Sequence, residues 1–298
     1  MKPGIVGNIH KENIASVVTT LIEKLSQNKI PFSLCDTLKQ VVDLENKDLV
    51  FSDIETLAME SDILISIGGD GTMLTTAYTA RQFDKPVLGV NYGKLGFLAE
   101  VDIHGIDLFI DELIHGKYSI EERIVLCSYY AKNPRKEFFA INDLVIGKGD
   151  WPKMIEITVK VDDEYVTTFS ADGLIIATPT GSTGYSLSVG GPVITPKADV
   201  IALSPISPHS LTMRPLILSS SQVISVFVES LNTKIQINCD GQRVEEHVPP
   251  VELKIFKSDR PLKLIRTASA SYFDILRTKL FWGLDVRKSS LNNLSNKK

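Results

Sequence analysis

A chain of 298 residues has room for one large domain or two modest ones, and its 43% hydrophobic content excludes a disordered polymer. The net charge of −4 lacks the basic footprint of a nucleic-acid binder. No apolar run reaches the length of a membrane span, so neither nucleic acid nor membrane is an expected partner.

The opening segment Met1–Gly7 does not read as a secretory signal. Three cysteines, Cys35, Cys127 and Cys239, are far apart and show no Cys-x-x-Cys pair. Disulfides and zinc are therefore not expected, the three thiols read as core residues, and a cytoplasmic location fits best. His10, His104, His115, His209 and His247 have no ligand spacing.

In chain order, Ile5 and Val6 begin a short strand. Ile14, Val17, Val18, Leu21, Ile22 and Leu25 then recur at intervals of three and four, which places them on one stripe of a helix. Pro31–Cys35 reads as a second strand and Ile63–Ile67 as a third, apolar on both faces. A helix is expected from Thr72 to Phe83, a fourth strand over Pro86–Val90 and a further helix over Ile106–Ile114. Strands alternating with helices predict a doubly wound parallel sheet for residues 1–119.

The pattern changes near residue 120. Ile155, Ile157, Val159 and Val161 alternate with polar residues, the period-two signature of a half-buried antiparallel strand. Asp162-Asp163-Glu164 reads as a turn into Tyr165–Phe169. Ile235, Ile237 and Cys239, then Val251, Leu253 and Ile255, repeat the alternation. Residues 120–268 are expected to form a β-rich sandwich or distorted barrel. Tyr272–Trp282 reads as a helix returning to the first domain. It belongs to a closing segment, 269–298, whose end from Arg287 is polar.

Four stretches carry chemistry. The first, Gly68-Gly69-Asp70-Gly71-Thr72, follows the buried third strand. Ligands of open α/β sheets sit beyond the carboxyl ends of strands. Glycines there let backbone amides approach phosphate, and the next helix offers its positive end. Asp70 could take a proton from an attacking hydroxyl or orient a metal-bound phosphate, although Asp-Gly is also an ordinary turn. The second, Asn91–Leu98, also leaves a strand. Its Phe97 could stack on a base or plug the core. The third is the polar pair Asn142-Asp143 inside an apolar run, costly to bury without partners, with a bulge or turn as the plain alternative.

The fourth runs from Ser170 to Pro192 and is crowded with glycines and hydroxyls between Thr178 and Gly191. It suits wrapping a ligand with phosphates and riboses. Neither a P-loop nor the Gly-x-Gly-x-x-Gly dinucleotide fingerprint is present. Weaker signals are Glu121-Glu122-Arg123, read as a solvated strand end or a structural ion pair, Asp240-Gly241, read as a hairpin turn, and a lone His209.

Together these motifs resemble the NAD kinase family. The matching pieces are Gly-Gly-Asp-Gly-Thr at 68–72, Asn-x-Gly-x-Leu-Gly-Phe-Leu at 91–98, Asn-Asp at 142–143, Asp-Gly at 172–173, Thr-Pro-Thr-Gly-Ser-Thr-Gly-Tyr-Ser-Leu-Ser at 178–188 and Asp-Gly-Gln at 240–242. The resemblance implies transfer of the γ-phosphate of ATP to the 2′-hydroxyl of the adenosine ribose of NAD, with Mg²⁺ or another divalent cation on the phosphates. It implies Asp70 as proton acceptor. Gly68, Gly69, Gly71, Thr72, Asn91, Phe97, Asn142, Asp143, Asp172, Thr183, Gly184, Tyr185, Ser186, Leu187, Ser188 and Gln242 would bind substrates. It also implies a homodimer or homotetramer whose site borrows residues across chains. Asp143 stands where Glu is usual, and Gly184 where Ala is common. A lipid kinase sharing the first loop and a dinucleotide sensor without turnover are the competing readings.

Overall fold

The computed structural model describes residues 1–42, 49–91, 96–99, 101–102, 105–149, 153–230, 234–267 and 271–282. The expectations for Tyr92, Gly93, Lys94, Leu95 and His104, and for the tail from Arg287, lie outside these residues. The chain divides into two compact units. One comprises 1–79, 87–120 and 265–298, the other 80–86 and 121–264.

The first unit holds strands β1 (Pro3–Gly7), β2 (Ser33–Cys35), β3 (Phe51–Ser52), β4 (Ile63–Ile67), β5 (Val87–Asn91) and β6 (Val101–Asp102). Its helices are α1 (Ile14–Gln27), α2 (Ile54–Glu60), the start of α3 (Asp70–Gln82) and α4 (Ile106–Ile114). The strands are parallel in the order β3-β2-β1-β4-β5, with β6 beside β5. The order reverses between β1 and β4, which makes the ends of those two strands the ligand crevice of such a sheet.

The expected stripe of α1 is buried in full. It packs with Phe109, Ile110 and Leu113 of α4 against Ile5, Ile63, Ile65 and Ile67, at about 2 kcal/mol per large side chain removed from water. Ser66 points to the opposite face, where its hydroxyl meets Thr76 of α3 at 2.9 Å. Helices thus cover both faces, as the alternating pattern predicts. Two details differ. Helix α3 begins at Asp70, two residues before the expected Thr72, because an acidic side chain suits a helix's first turn. Helix α2 was not foreseen. It is short, and it is capped by Asp53, whose carboxylate accepts the amides of Glu55 and Thr56. The C-terminal helix (Tyr272–Leu280) falls in this unit, with Tyr272 ring-to-ring with Phe97 at 6.1 Å.

The second unit is built from antiparallel strands. We label the crossing strand Ser119–Arg123 β7, followed by β8 (Leu126–Tyr130), β9 (Asn133–Ala140), β10 (Asp143–Lys148), β11 (Ile155–Val161), β12 (Glu164–Ala171) and β13 (Gly173–Ala177). Then come β14 (Val200–Ile206), β15 (Leu216–Ser219), β16 (Ile224–Glu229), β17 (Ile235–Cys239), β18 (Arg243–His247), β19 (Val251–Lys257) and the returning strand β20 (Leu262–Arg266). One six-stranded sheet runs β15-β14-β13-β10-β17-β18 and the other β12-β11-β16-β19-β8-β9. Their facing side chains form one core, with Leu144, Ile146, Leu174 and Ile176 from the first sheet meeting Ile157, Val226, Leu253 and Ile255 from the second. This is a β-sandwich. The alternation read over 155–161 appears as burial on every second residue. Asp162 and Asp163 form the expected turn, both at positive φ (51° and 66°).

Strand β13 is buried on both faces. Its Ile175 and Ala177 meet Ile194 and Ala202 rather than the sandwich core. The glycine- and hydroxyl-rich stretch therefore packs on the outer face of a sheet instead of waving as a free loop. The three cysteines are buried and free.

Candidate active site

In the first unit, Asp70 opens α3 just beyond the end of β4. Its carboxylate reaches the second glycine-containing stretch. Oδ2 accepts the amide of Phe97 at 3.1 Å, and Oδ1 accepts those of Leu98 at 3.1 Å and Ala99 at 3.3 Å. A carboxylate has about four acceptor positions. With three filled by backbone, one remains on Oδ2, and the group cannot rotate without breaking three bonds. A base that must meet one hydroxyl at one angle needs such a mount. Asn91 closes β5 and is buried, while Gly69 and Asp70 are half-buried and Gly71 is exposed.

A cavity of about 500 Å³ opens at the crevice between β1 and β4. It is lined by Asn8, Asp36, Thr37, Asp53, Gly71 and Thr75 among others. Asn8, Asp36, Thr37 and Asp53 carry no motif and were missed in the sequence. Their signal was positional only, since each follows a parallel strand.

In the second unit, the polar pair breaks the apolar run as a turn, with β9 ending at Ala140 and β10 beginning at Asp143. The long stretch is stapled to this turn. Thr178 N–H donates to the Asn142 carbonyl at 2.9 Å, Thr178 Oγ1 donates to the Ile141 carbonyl at 2.7 Å, and Gly181 N–H donates to Thr178 Oγ1 at 3.1 Å. A Cβ on Gly181 would fall 2.0 Å from the Asn142 oxygen, so only glycine permits this approach.

Burial, and after it the nearby Asp240 carboxylate, pushes the Asp143 carboxyl up to about 7. Asn142 Oδ1 is buried and makes no hydrogen bond among the described residues. An acceptor in that state is costly unless a ligand donor meets it.

Gly184, Tyr185 and Ser188 are exposed on the same stretch, whereas Thr183 and Leu187 are half-buried. Ser186 turns inward to Ser204 at 2.9 Å. Gln242 follows the Asp240-Gly241 turn and is exposed.

Asp172 stands apart from this group. The β10–β13 ladder pairs Asp143 with Ala177 at one end and Gly147 with Gly173 at the other. Asp172 lies beyond Gly173, about 15 Å along the strands from Asp143, and pairs with Lys148 at 2.6 Å.

Two side chains gained roles that the sequence did not disclose. Asp240 is a buried anchor as well as a turn residue. Arg123 is buried, pairing with Glu121 at 2.9 Å and donating to Thr180 Oγ1 at 3.2 Å. Of the two readings of the charged triplet, the structural ion pair is the one found, between Glu121 and Arg123, while Glu122 stays exposed.

Residues 4–118 match the ATP-NAD kinase N-terminal domain and residues 141–267 the ATP-NAD kinase C-terminal domain. The chain belongs to the NAD kinase family.

An NAD kinase of Chlorobium phaeobacteroides is 38% identical over 284 residues, 95% of this chain and 98% of the relative. One of Clostridium botulinum is 42% identical over 241 residues, 79% and 85% of the two chains. Among solved structures, yeast NADH kinase complexed with NADH matches with a TM-score of 0.84 at 24% identity, covering 95% of this chain and 88% of that one. An Archaeoglobus fulgidus NAD kinase in complex with ATP matches at 0.74 and 24%, covering 94% and 98%. At that identity these two carry the fold alone.

For a NAD kinase the residues sort into two groups. Asp70 and the loops around it belong to the first unit, and Asn142, Asp143, the 178–188 stretch and the 240–242 turn to the second. Among the described residues, no three His, Cys, Asp or Glu side chains gather as a metal site, and no helix is long and apolar enough to cross a membrane.

Proposed function

We propose that this NAD kinase transfers the γ-phosphate of ATP to the 2′-hydroxyl of the adenosine ribose of NAD, with Asp70 as the group that accepts the hydroxyl proton. The observation that carries the reading is the immobilised Asp70 carboxylate, which keeps one acceptor position on Oδ2 at the start of a helix. Phosphoryl transfer demands positioning and charge neutralisation more than covalent help. The positive end of α3 serves the phosphates, and Asp70 serves the incoming hydroxyl.

The cavity beside α3 supports a nucleotide donor, because its volume falls within the range of small-molecule sites. Asn142 Oδ1 offers an acceptor suited to an adenine amino group, and Asp143 one suited to sugar hydroxyls. Gly184, Tyr185 and Ser188 present the exposed side of the 178–188 stretch to the same ligand.

The divalent cation belongs to the proposal as an ion carried on the ATP phosphates, where it neutralises charge. No protein cage is assigned to it.

The position of Asp172 supports a homodimer or homotetramer. At the far end of the ladder from Asp143, it would act on the dinucleotide of a neighbouring copy. The apolar residues left exposed on one sheet of the second unit, Tyr165, Val166 and Phe227, suit such an interface. The three buried free cysteines suit a cytoplasmic setting.

Incubating the purified protein with NAD, ATP and Mg²⁺ and assaying NADP enzymatically tests the activity. NADP formation is expected. A folded protein that yields none overturns the reading.

A further inference from the structure

The turn that carries Asn142 and Asp143 is built around a second carboxylate. Asp240 Oδ2 accepts the amide of Ile141 at 3.1 Å, and Oδ1 accepts those of Asn142 at 2.7 Å and Asp143 at 3.3 Å. In return, the amide of Asp240 donates to the carbonyl of Asp143 at 3.0 Å. Three successive backbone amides pointing at one anion form a nest, and here the anion is a side chain of the same protein. Asp240 is almost wholly buried. Arg243 completes the arrangement, donating to Asp240 Oδ2 at 2.7 Å and to the carbonyl of Phe139 at 3.1 Å. The β17–β18 hairpin therefore grips the end of β9 and the start of β10 through a single carboxylate.

We propose that Asp240 is a positioning residue of the dinucleotide site. By occupying the amides of 141–143 it fixes where the Asn142 and Asp143 side chains stand. The proposal rests on the reading of Asn142 and Asp143 as dinucleotide ligands given above. Asp240 need not touch the substrate, and its own acceptor positions face backbone and Arg243.

The electrostatic part has a defined sign. Among the described residues, the groups that act on Asp143 are Asp240 and Cys239 of the hairpin, and Arg243 bears on it through its bond to Asp240. The 178–184 segment and Ala177, opposite Asp143 on β13, bring none. Burial raises the Asp143 carboxyl first and the Asp240 anion raises it further. Removing the charge at 240 lets Asp143 ionise at lower pH.

The test is Asp240→Asn, with Asp240→Glu as the charge-retaining partner, each first checked for folding by its thermal midpoint. In Asp240→Asn one amide must face a donor instead of an oxygen, and the turn loosens. The expected result is a KM for NAD raised about tenfold or more, a KM for ATP near wild type, and an acid limb of kcat/KM for NAD displaced to lower pH. Asp240→Glu should raise the KM for NAD while leaving the limb in place, and if Asp240→Asn does not fold it is read together with hydrogen exchange at the amides of 141–143. An unchanged KM for NAD overturns the proposal. So does a raised KM with an unmoved limb in Asp240→Asn, because that is what a merely structural residue would give.

Hydrogen exchange at the amides of 141–143 needs no substrate and separates this idea from the activity it rests on. Faster exchange there in the variant, with Leu144 and Ile146 unaffected, supports the anchor even if no NADP is made. Unaltered exchange removes it.

Discussion

Gly96 stands directly against Asp70. A Cβ built on Gly96 would lie 2.0 Å from Oδ1 of Asp70 and 2.6 Å from its carboxyl carbon. No side chain can share that space with the carboxylate. Gly96→Ala should therefore push Asp70 off its three amides while the rest of the first unit keeps its core. The expected outcome is a fall in kcat of about a hundredfold, the usual effect of misplacing a reacting group by an ångström, with a thermal midpoint close to wild type. Steady-state NADP formation and a melting curve check it together.

Gly184 makes a contrasting case. An added Cβ there meets the Gly181 carbonyl at 3.3 Å and the Asp143 carboxylate at 3.9 Å, contacts that need only a small adjustment. Gly184→Ala should fold and keep kcat/KM for NAD within about threefold of wild type, a change below about 1 kcal/mol, because the position is exposed. A loss of activity like that of Gly96→Ala would show that the turn tolerates less than its spacing implies.

Asp143 predicts a pH effect on stability. Its carboxyl is raised from an ordinary 3.8 to about 7 in the folded chain. Between those values the folded state holds a proton that the unfolded state has released. The favourable contribution is complete below the lower value and is lost as pH rises through the upper one. Asp143→Asn removes that dependence. Denaturant unfolding should show the variant gaining on wild type as pH goes from 4 to 8. A difference independent of pH would refute the assignment.

Arg123 and Glu121 form a pair in which the arginine is buried and the glutamate retains some exposure. Arg123→Met removes the guanidinium that faces Glu121 and donates to Thr180. Removing one member of a buried pair costs about 3 kcal/mol, and urea unfolding should reveal a loss of that order. Glu121→Gln should cost less, because the neutral amide still accepts from the guanidinium.

The features legible in the sequence are those where a local pattern and the tertiary environment agree. Strand β4 was readable because a strand covered on both faces is uniformly apolar and ends in glycine. Helix α1 and strand β11 were readable from their periods. Helix α2 escaped because seven residues make too short a stripe to register a period. Asp240 escaped for a different reason. Asp-Gly between alternating residues is what any hairpin turn shows, and the turn is real. The partners of its carboxylate lie about a hundred residues earlier. Likewise, Glu121-Glu122-Arg123 gave no sign of which charge would be buried, since that depends on Thr180 packing against it. The site loops could be found from glycine and hydroxyl composition, but the amides that hold each carboxylate could not, because a backbone donor leaves no trace in residue type.

The central claim is that Asp70 takes the proton of the sugar hydroxyl while other groups hold the dinucleotide. The most direct test is to measure kcat and the NAD dissociation constant in one preparation of folded Asp70→Asn. The account predicts kcat lowered about a thousandfold, as for loss of a general base, with NAD binding within about threefold of wild type, a change below 1 kcal/mol. A variant that still turns over within tenfold of wild type would contradict it.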